Sequence, residues 1–104
     1  MNARPARIDF HVIGEAAARQ AEPIVQRWLP DGRRDGHEWV ARNPTRADLR
    51  PGSFKVNLRT GAWGDFATND RGGDLISLAA YLFRLSQGEA ARRVAEMLGI
   101  DPYG

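Results

Sequence analysis

The spacing of apolar residues changes twice along this chain, and this change restricts the possible fold more than any other feature. Over about residues 9–28, apolar residues recur at intervals of three and four, which is typical of an amphipathic helix. Between residues 37 and 66 they alternate with polar residues, as in half-buried strands. From Leu75 the helical spacing returns. The order of these regions predicts an α+β fold with a small antiparallel sheet.

The N-terminal helical region contains a proline. Pro23 lacks an amide hydrogen and its ring clashes with the preceding turn. The helix expected from about Asp9 to Trp28 therefore either kinks there or divides into two short helices, with Pro23 in the first turn of the second. Residues 30–32, Pro-Asp-Gly, then end the helical region in a polar turn.

About three strands are predicted in the middle of the chain. The clearest covers residues 53–58, where apolar side chains occupy every second position. Residues 37–42 form the strand before it, and residues 62–66 return as a hairpin partner after a turn containing Gly61. The loop at residues 43–52 connects the first two strands.

Two helices are predicted after the sheet. Asp74 is placed to cap a helix over residues 75–85, whose broad apolar face indicates burial. The sequence Ser-Gln-Gly-Glu at residues 86–89 is a capping box that begins a last helix over residues 87–98. Gly99 is a typical helix stop.

The length of the chain, 104 residues, is that of one ordinary domain. We expect a flexible N-terminus at residues 1–8, because they show no periodic pattern, and a single domain over residues 9–100. Residues 101–104 read as a tail or the start of a linker, which is consistent with a piece of a longer protein.

Composition excludes several kinds of site. The chain contains no cysteine, which rules out a disulfide, a thiolate nucleophile and a cysteine-based zinc site. The two histidines, His11 and His37, cannot complete a tetrahedral zinc site alone. No apolar run approaches the roughly 18 residues of a membrane span, and residues 1–19 lack the pattern of a signal peptide. We therefore expect a cytoplasmic protein that has no metal or cofactor and does not contact a membrane.

Basic residues are concentrated in the middle of the chain. Residues 27–59 contain eight basic and four acidic residues, whereas the preceding residues are neutral and the following ones sum to −2. Fourteen of the fifteen basic residues are arginines, whose guanidinium group binds phosphate bidentately. This pattern suits a nucleic-acid partner. A solvated surface in an arginine-rich composition would give the same pattern, so both interpretations stay open.

Five sequence pieces occur in an order that resembles a known domain. They are Asn-Pro-Thr-Arg at 43–46, Gly-Ser-Phe at 52–54, Asp-Phe-Ala-Thr at 65–68, Gly-Gly-Asp at 72–74 and Glu-Ala at 89–90. The N-terminal zinc ribbon of bacterial and phage DNA primases contains Cys-Pro-x-His, Pro-Ser-Phe, Cys-Phe-x-Cys, Gly-Gly-Asp and Glu-Ala in the same order. The chain resembles a degenerate form of this Cys-His-Cys-Cys domain, which implies a zinc-ribbon-like fold without the zinc ligands.

The resemblance aligns the four zinc ligands of the family with Asn43, Arg46, Asp65 and Thr68. These residues lack the thiolate and imidazole ligands that zinc requires, and a cationic arginine would repel the ion. We predict instead that Arg46 and Asp65 form a buried or half-buried ion pair that joins the same two loops. Asn43 and Thr68 are predicted to complete its hydrogen bonds, since a buried ion pair must be fully satisfied to break even.

In the primase family the exposed face of the small sheet is associated with binding of the single-stranded template. The resemblance therefore implies nucleic-acid contacts from six residues on this face and its rim: Arg42, Arg46, Arg50, Lys55, Asn57 and Arg59.

Aromatic side chains are the other component of a single-strand site, because bases stack on them. Trp39 and Trp63 are the candidates, but alternation along their strands favours core positions for both. The other aromatic residues considered are expected in the core: Phe54, Phe66, Tyr81 and Phe83.

No catalytic residue is predicted. Gly72-Gly73-Asp74 lacks the lysine and hydroxyl residues of a phosphate-binding loop. The leading interpretation is a non-catalytic accessory domain that binds nucleic acid, specifically single-stranded DNA. It would belong to a primase or primase-helicase-like replication protein of phage or mobile-element character, with a fused or associated primase or helicase domain as partner.

The alternative interpretation is a protein-protein interaction module that retains the fold without binding DNA. Its mark would be an exposed apolar patch around Trp28 and Leu29. A stand-alone enzyme is a third and more distant interpretation.

Overall fold

The computed structural model describes residues 7–47 and 51–103, within which four helices and five strands form an α+β fold. The antiparallel sheet has the strand order β1-β2-β3-β4-β5, so each strand pairs with its neighbour in sequence. Along the chain the elements are α1 (Phe10–Ala18), α2 (Ala21–Trp28), β1 (Arg33–Asp35), β2 (Glu38–Ala41), β3 (Phe54–Asn57), β4 (Trp63–Asp65), β5 (Asp70–Gly72), α3 (Leu75–Phe83) and α4 (Gln87–Leu98).

The sheet contains two strands more than the sequence predicts. The predicted strands correspond to β2, β3 and β4, and the additional β1 and β5 lie at the two edges. Each edge strand has only three residues, Arg-Arg-Asp and Asp-Arg-Gly, and neither shows an alternation of apolar side chains. Short, charged edge strands are a common protection against pairing with other chains. The same property hides them from a search for apolar periodicity.

The N-terminal helical region divides at the position that proline favours. Helix α1 ends at Ala18 and α2 begins at Ala21, with Pro23 in the first turn of α2. The two-helix alternative is thus confirmed. Asp9 caps α1, because its Oδ1 atom accepts a hydrogen bond from the amide of Val12 over 3.1 Å.

The two C-terminal helices begin with the predicted caps. Asp74 and Ser86 each accept a hydrogen bond from the amide three residues ahead, over 2.8 and 3.1 Å. Gly99 ends α4 with a positive φ of 71°, which glycine adopts without steric cost. Helix α3 ends earlier than expected, at Phe83, because Arg84 adopts the left-handed conformation at its C-cap.

The core lies between one face of the sheet, here called the inner face, and the helices. Trp39 and Trp63 are each 7% exposed on this face, so their predicted core positions are confirmed. Their indole nitrogens donate to the carbonyl oxygen of Leu29 and to the hydroxyl of Ser77, over 3.0 and 2.9 Å. The largest side chains buried with them include Ile13, Val25, Phe54, Val56, Leu75, Ile76, Leu78 and Val94.

The first glycine of the Gly-Gly-Asp segment is required by close packing. A Cβ atom at Gly72 would collide with the hydroxyl of Ser77 and the indole of Trp63. The segment therefore lets the chain pass close to the core before Asp74 caps α3.

Two aromatic residues depart from the predicted core positions. Phe66 is 77% exposed and Phe83 is 50% exposed, so the prediction was wrong for both. Phe66 follows the inward-facing Asp65, so its side chain lies on the opposite face of the sheet. Phe83 lies in the last turn of α3. Phe54 is fully buried, and Tyr81 is partly buried with its ring against the core.

The ends of the described chain lie close together. The amide of Asp9 donates to the carbonyl oxygen of Pro102 over 2.9 Å, and Ile8 and Ile100 pack against the core. Most of the predicted flexible N-terminus, residues 1–6, lies outside the described residues, as does residue 104. In the part of the chain that is described, no helix has the length and apolar character needed to span a membrane.

Candidate functional site

Two polar loops meet at one end of the inner face of the sheet. Asp65 closes β4 in register with Phe54 on β3 and Asp70 on β5, and its side chain points into the protein. It is 1% exposed. Because an ionised carboxylate is costly to bury without partners, its surroundings must supply hydrogen bonds and positive charge.

Arg46 supplies the charge from the loop that follows β2. Its Nε atom lies 2.9 Å from Oδ2 of Asp65, and its Nη2 atom lies 3.4 Å from Oδ1. Nη2 also donates to the hydroxyl of Ser53 over 3.1 Å. The Arg46 side chain is 31% exposed and that of Asp65 is 0% exposed. The half-buried ion pair predicted from the sequence is therefore present.

Asn43 extends the ion pair to helix α3. Its Nδ2 atom donates to Oδ2 of Asp65 over 2.9 Å and to the hydroxyl of Tyr81 over 2.8 Å. The Tyr81 hydroxyl in turn donates to Oδ2 of Asp70 over 2.8 Å. The hydroxyl of Thr45 donates to Oδ1 of Asn43 over 2.7 Å. We call the whole set the polar clasp: Asn43, Thr45, Arg46, Asp65, Asp70 and Tyr81.

Thr68 takes a different place from the one predicted. Its hydroxyl accepts a hydrogen bond from the amide of Asp70 over 3.3 Å, and its own amide donates to the carbonyl oxygen of Asp65. The amide of Ala67 bonds the Asp65 carboxylate instead, over 2.9 Å to Oδ1. Thr68 thus shapes the turn after β4, while Tyr81, which the sequence places only in the core, joins the clasp.

The polar clasp keeps Asp65 ionised. Burial by itself would raise the pKa of the Asp65 carboxyl, but hydrogen bonds from Arg46, Asn43, the amide of Ala67 and Ser53 outweigh burial and hold that pKa well below its usual range. A carboxylate with so low a pKa is a poor general base near neutral pH. The clasp therefore has the chemistry of a structural joint.

The clasp also lacks the arrangement of a metal site. Within residues 7–47 and 51–103, no group of three His, Asp or Glu side chains is placed to hold a metal ion. Among the buried side-chain nitrogen and oxygen atoms of the same residues, each has a hydrogen-bond partner. The clasp joins the loop after β2, the end of β4, β5 and α3 through side chains alone.

The opposite face of the sheet carries a row of cations. Arg33, Val40, Lys55, Gly64 and Arg71 are in register across all five strands, on the side away from the tryptophans. Arg33 and Arg71 are exposed and Lys55 is half-buried. We call this row together with Phe66 the outer sheet face.

Phe66 lies beside the row of cations with its ring in solvent. The Nζ atom of Lys55 is 5.6 Å from the centre of that ring. Gly64 has no side chain between Lys55 and Arg71, and a depression of about 290 Å³ opens there. An exposed aromatic ring, two cations and the acidic side chain of Glu38 therefore line one shallow depression.

The cations of this row are available to a ligand. Among the described residues, neither Arg33, Lys55 nor Arg71 forms an ion pair with an acidic side chain. The neighbouring row on this face contains Asp35 and Glu38, which are in register with each other. The positive side of the outer sheet face is thus the side nearer to Phe66.

The structure separates the six residues predicted to contact nucleic acid. Lys55 lies on the outer sheet face, whereas Arg46 belongs to the polar clasp. Arg42 pairs with the exposed Asp31 over 3.0 Å. Arg50 lies outside the described residues.

The remaining two predicted residues shape the turn between β3 and β4. The Oδ1 atom of Asn57 accepts hydrogen bonds from the amides of Arg59 and Thr60, over 2.8 and 3.2 Å. Arg59 is exposed and donates to Nε2 of His37 over 2.8 Å. Both residues lie toward the end of β3 farther from Phe66, but Asn57 lines the same depression on the outer sheet face as Phe66.

Three residues of the outer sheet face were missed from the sequence. Arg33 and Arg71 lie on the edge strands, which show no apolar pattern. Phe66 did leave a signal, because alternation from the inward Trp63 places Asp65 inward and Phe66 outward. The default assignment of aromatic residues to the core concealed it.

Comparison with known proteins assigns no function, so function is inferred from the polar clasp and the outer sheet face. No protein-family model matches the chain, and no curated protein matches it significantly. The resemblance to the zinc ribbon of primases therefore rests on the order of its five sequence pieces.

Proposed function

We propose that this chain is a non-catalytic module that binds single-stranded DNA on its outer sheet face. One observation carries the proposal: Arg33, Lys55 and Arg71, from three different strands, share one row beside the exposed ring of Phe66. Proteins that hold single strands combine a basic surface, which follows the phosphates, with aromatic rings on which bases stack. The outer sheet face has both components.

The length of the row suits a short stretch of single strand. Neighbouring strands are about 4.8 Å apart, so the row from β1 to β5 spans roughly 19 Å, the length of a few nucleotides. Phe66 lies beside this row, close to Lys55. A base stacked on Phe66 would place neighbouring phosphates near Lys55 and Arg71.

The polar clasp supports this function indirectly. It ties the β2–β3 loop to the end of β4 and, through Tyr81, to α3 and β5. In the zinc ribbon that the chain resembles, the metal has this joining role. The module would act in the cytoplasm as an accessory domain of a primase or primase-helicase-like replication protein, and the catalytic groups would belong to a fused or associated domain.

Binding to fluorescein-labelled oligo-dT of 15 nucleotides, followed by fluorescence anisotropy across a salt series, tests the proposal. We expect micromolar or tighter binding at about 50 mM salt. The slope of log K against log salt should be near about −2, because about three phosphates are contacted and each contributes ~0.7 to the slope. Lys55→Ala and Arg71→Ala should each reduce the slope by about 0.7. Phe66→Ala should weaken binding by about 1–3 kcal/mol with little change in slope.

Arg19→Ala is the matched control. Arg19 is exposed at the C-cap of α1, a helix that packs against α3 and α4, and its removal changes the net charge of the protein by the same amount. Its binding should equal that of the unmodified protein. Absence of binding at 50 mM salt, or an equal loss in Arg19→Ala and Arg71→Ala, would contradict the proposal.

A further inference from the structure

A second surface lies on the helical side of the molecule. The ends of α2, α3 and α4 enclose a groove of about 520 Å³. Its lining includes four large apolar side chains and two arginines: Trp28, Phe83, Leu85, Met97, Arg27 and Arg93. The groove is therefore apolar with positive charge beside it.

The apolar lining continues the buried stripes of two helices. On α3, Ile76 and Ala79 are buried, and Phe83, which follows at helical spacing, is 50% exposed. On α4, Val94 is buried and Met97 is 37% exposed. Apolar side chains thus extend past the core on both helices and leave an apolar lining open to solvent.

The groove corrects the position of the apolar patch expected near Trp28 and Leu29. Leu29 is buried at 4% exposed, whereas Trp28 is partly buried and lines the groove. Its ring meets that of Phe83 edge to face, with centroids 5.7 Å apart. This contact fixes two of the lining side chains before any ligand binds, which lowers the entropic cost of binding.

The charges beside the groove indicate what fills it. Within the described chain, Arg27 makes no ion pair. Arg93 contacts Glu89 one turn away over 3.1 Å, and the two side chains are 63% and 41% exposed. An exposed pair at this spacing contributes little free energy, so Arg93 can exchange its partner at small cost. Two guanidinium groups at an apolar groove complement a ligand that carries carboxylates next to apolar side chains.

We propose that this groove binds a short acidic segment of a partner protein. An apolar side chain of the segment enters between Phe83 and Met97, and flanking carboxylates pair with Arg27 and Arg93. A basic segment would be repelled by the same two arginines. Helical residues line the groove and the outer sheet face lies on the other side of the sheet, so the two surfaces share no residue.

The test uses the full chain and a panel of fluorescein-labelled ten-residue peptides in which Asp or Glu alternates with Leu, Ile or Phe. Two matched peptide series replace the acidic residues by Lys or the apolar residues by Ser. Fluorescence anisotropy should show binding of the acidic-apolar peptides only, with dissociation constants below about 100 µM. Phe83→Ser, Met97→Lys and Arg93→Glu should each weaken binding at least about tenfold.

Three controls keep this result specific. Phe10→Ser removes an exposed phenylalanine on α1, and Lys55→Ala removes a cation of the outer sheet face; neither should change peptide binding. Thermal unfolding of each variant shows whether a loss of binding comes from a loss of the fold. Arg93→Glu changes an exposed side chain on α4 and so tests the groove without altering the core.

Several outcomes would overturn the proposal. One is that no acidic-apolar peptide binds at about 200 µM, which corresponds to a dissociation constant above ~1 mM. Another is that the Lys series binds equally well. A third is that the groove variants leave peptide binding unchanged. Dimerisation in sedimentation analysis that Phe83→Ser abolishes would assign the groove to a second copy of the chain instead. Loss of DNA binding in the experiment on the outer sheet face would leave this result unaffected.

Discussion

The polar clasp and the outer sheet face use the same kinds of side chain for opposite purposes. Arg46 in the clasp is bound to a carboxylate whose side chain has no solvent exposure. Arg71 on the outer sheet face is exposed and, among the described residues, forms no ion pair. Charge counts treat these two arginines as equal. Their surroundings make one of them part of the fold and leave the other to a ligand.

This difference determines which property a substitution should change. Loss of charge in the clasp leaves a buried group without its partner, and the free energy of unfolding falls. Loss of charge on the outer sheet face changes exposed side chains, whose effect on stability is usually small. The comparison therefore predicts that stability and DNA binding respond to different sets of residues.

The largest effect is expected for Asp65→Asn. The substitution removes the negative charge that balances the half-buried Arg46 and should lower the free energy of unfolding by about 3–5 kcal/mol. Urea denaturation followed by tryptophan fluorescence measures this change. Asp31→Asn, which breaks the exposed pair with Arg42, is the control and should cost less than about 1 kcal/mol. Similar losses in the two variants would remove the distinction between the clasp and an ordinary surface pair.

A matched pair of arginine variants tests the comparison directly. Arg46→Gln should destabilise the protein by roughly 2–3 kcal/mol, less than Asp65→Asn because the Arg46 side chain is 31% exposed and water replaces part of what it loses. Arg71→Gln should change the free energy of unfolding by less than about 0.5 kcal/mol while it weakens DNA binding. The opposite pattern, with stability lost in Arg71→Gln, would show that the outer sheet face is structural.

The smallest expected effect is the pH dependence of the clasp. The pKa of Asp65 is lower in the folded protein than its ordinary value of 3.8, so the unfolded chain binds a proton first as pH falls. The stability that Asp65 contributes is complete above that ordinary value and is lost below it, by at most about 1.4 kcal/mol per pH unit. Urea denaturation between pH 7 and 2.5 should show a smaller decline for Asp65→Asn than for the unmodified protein. Parallel declines would mean that other carboxyl groups account for the acid sensitivity.

The helices were largely predictable because their signals are local. Asp74 and Ser86 cap helices through amides three residues away, and Gly99 ends α4 by its own backbone conformation. The division at Pro23 has the same local origin, since a proline acts on the turn that precedes it.

The sheet was predictable only where apolar alternation reports burial on one face. Strands β2, β3 and β4 carry that alternation, whereas β1 and β5 owe their existence to pairing with a neighbour. A three-residue strand of charged and small residues has no pattern of its own. Pairing across the sheet was therefore needed to identify Arg33 and Arg71.

The sequence by itself determined the α+β order of elements, the helix caps and the exclusion of a cysteine-based metal site, because each follows from residue type or local spacing. Through the resemblance it also predicted the pairing of Arg46 with Asp65. Tertiary structure alone decided that Tyr81 completes the clasp from α3, and that Lys55 and Arg71 lie in one row across Gly64. Contacts between distant residues depend on strand register and helix packing, which the whole core sets together.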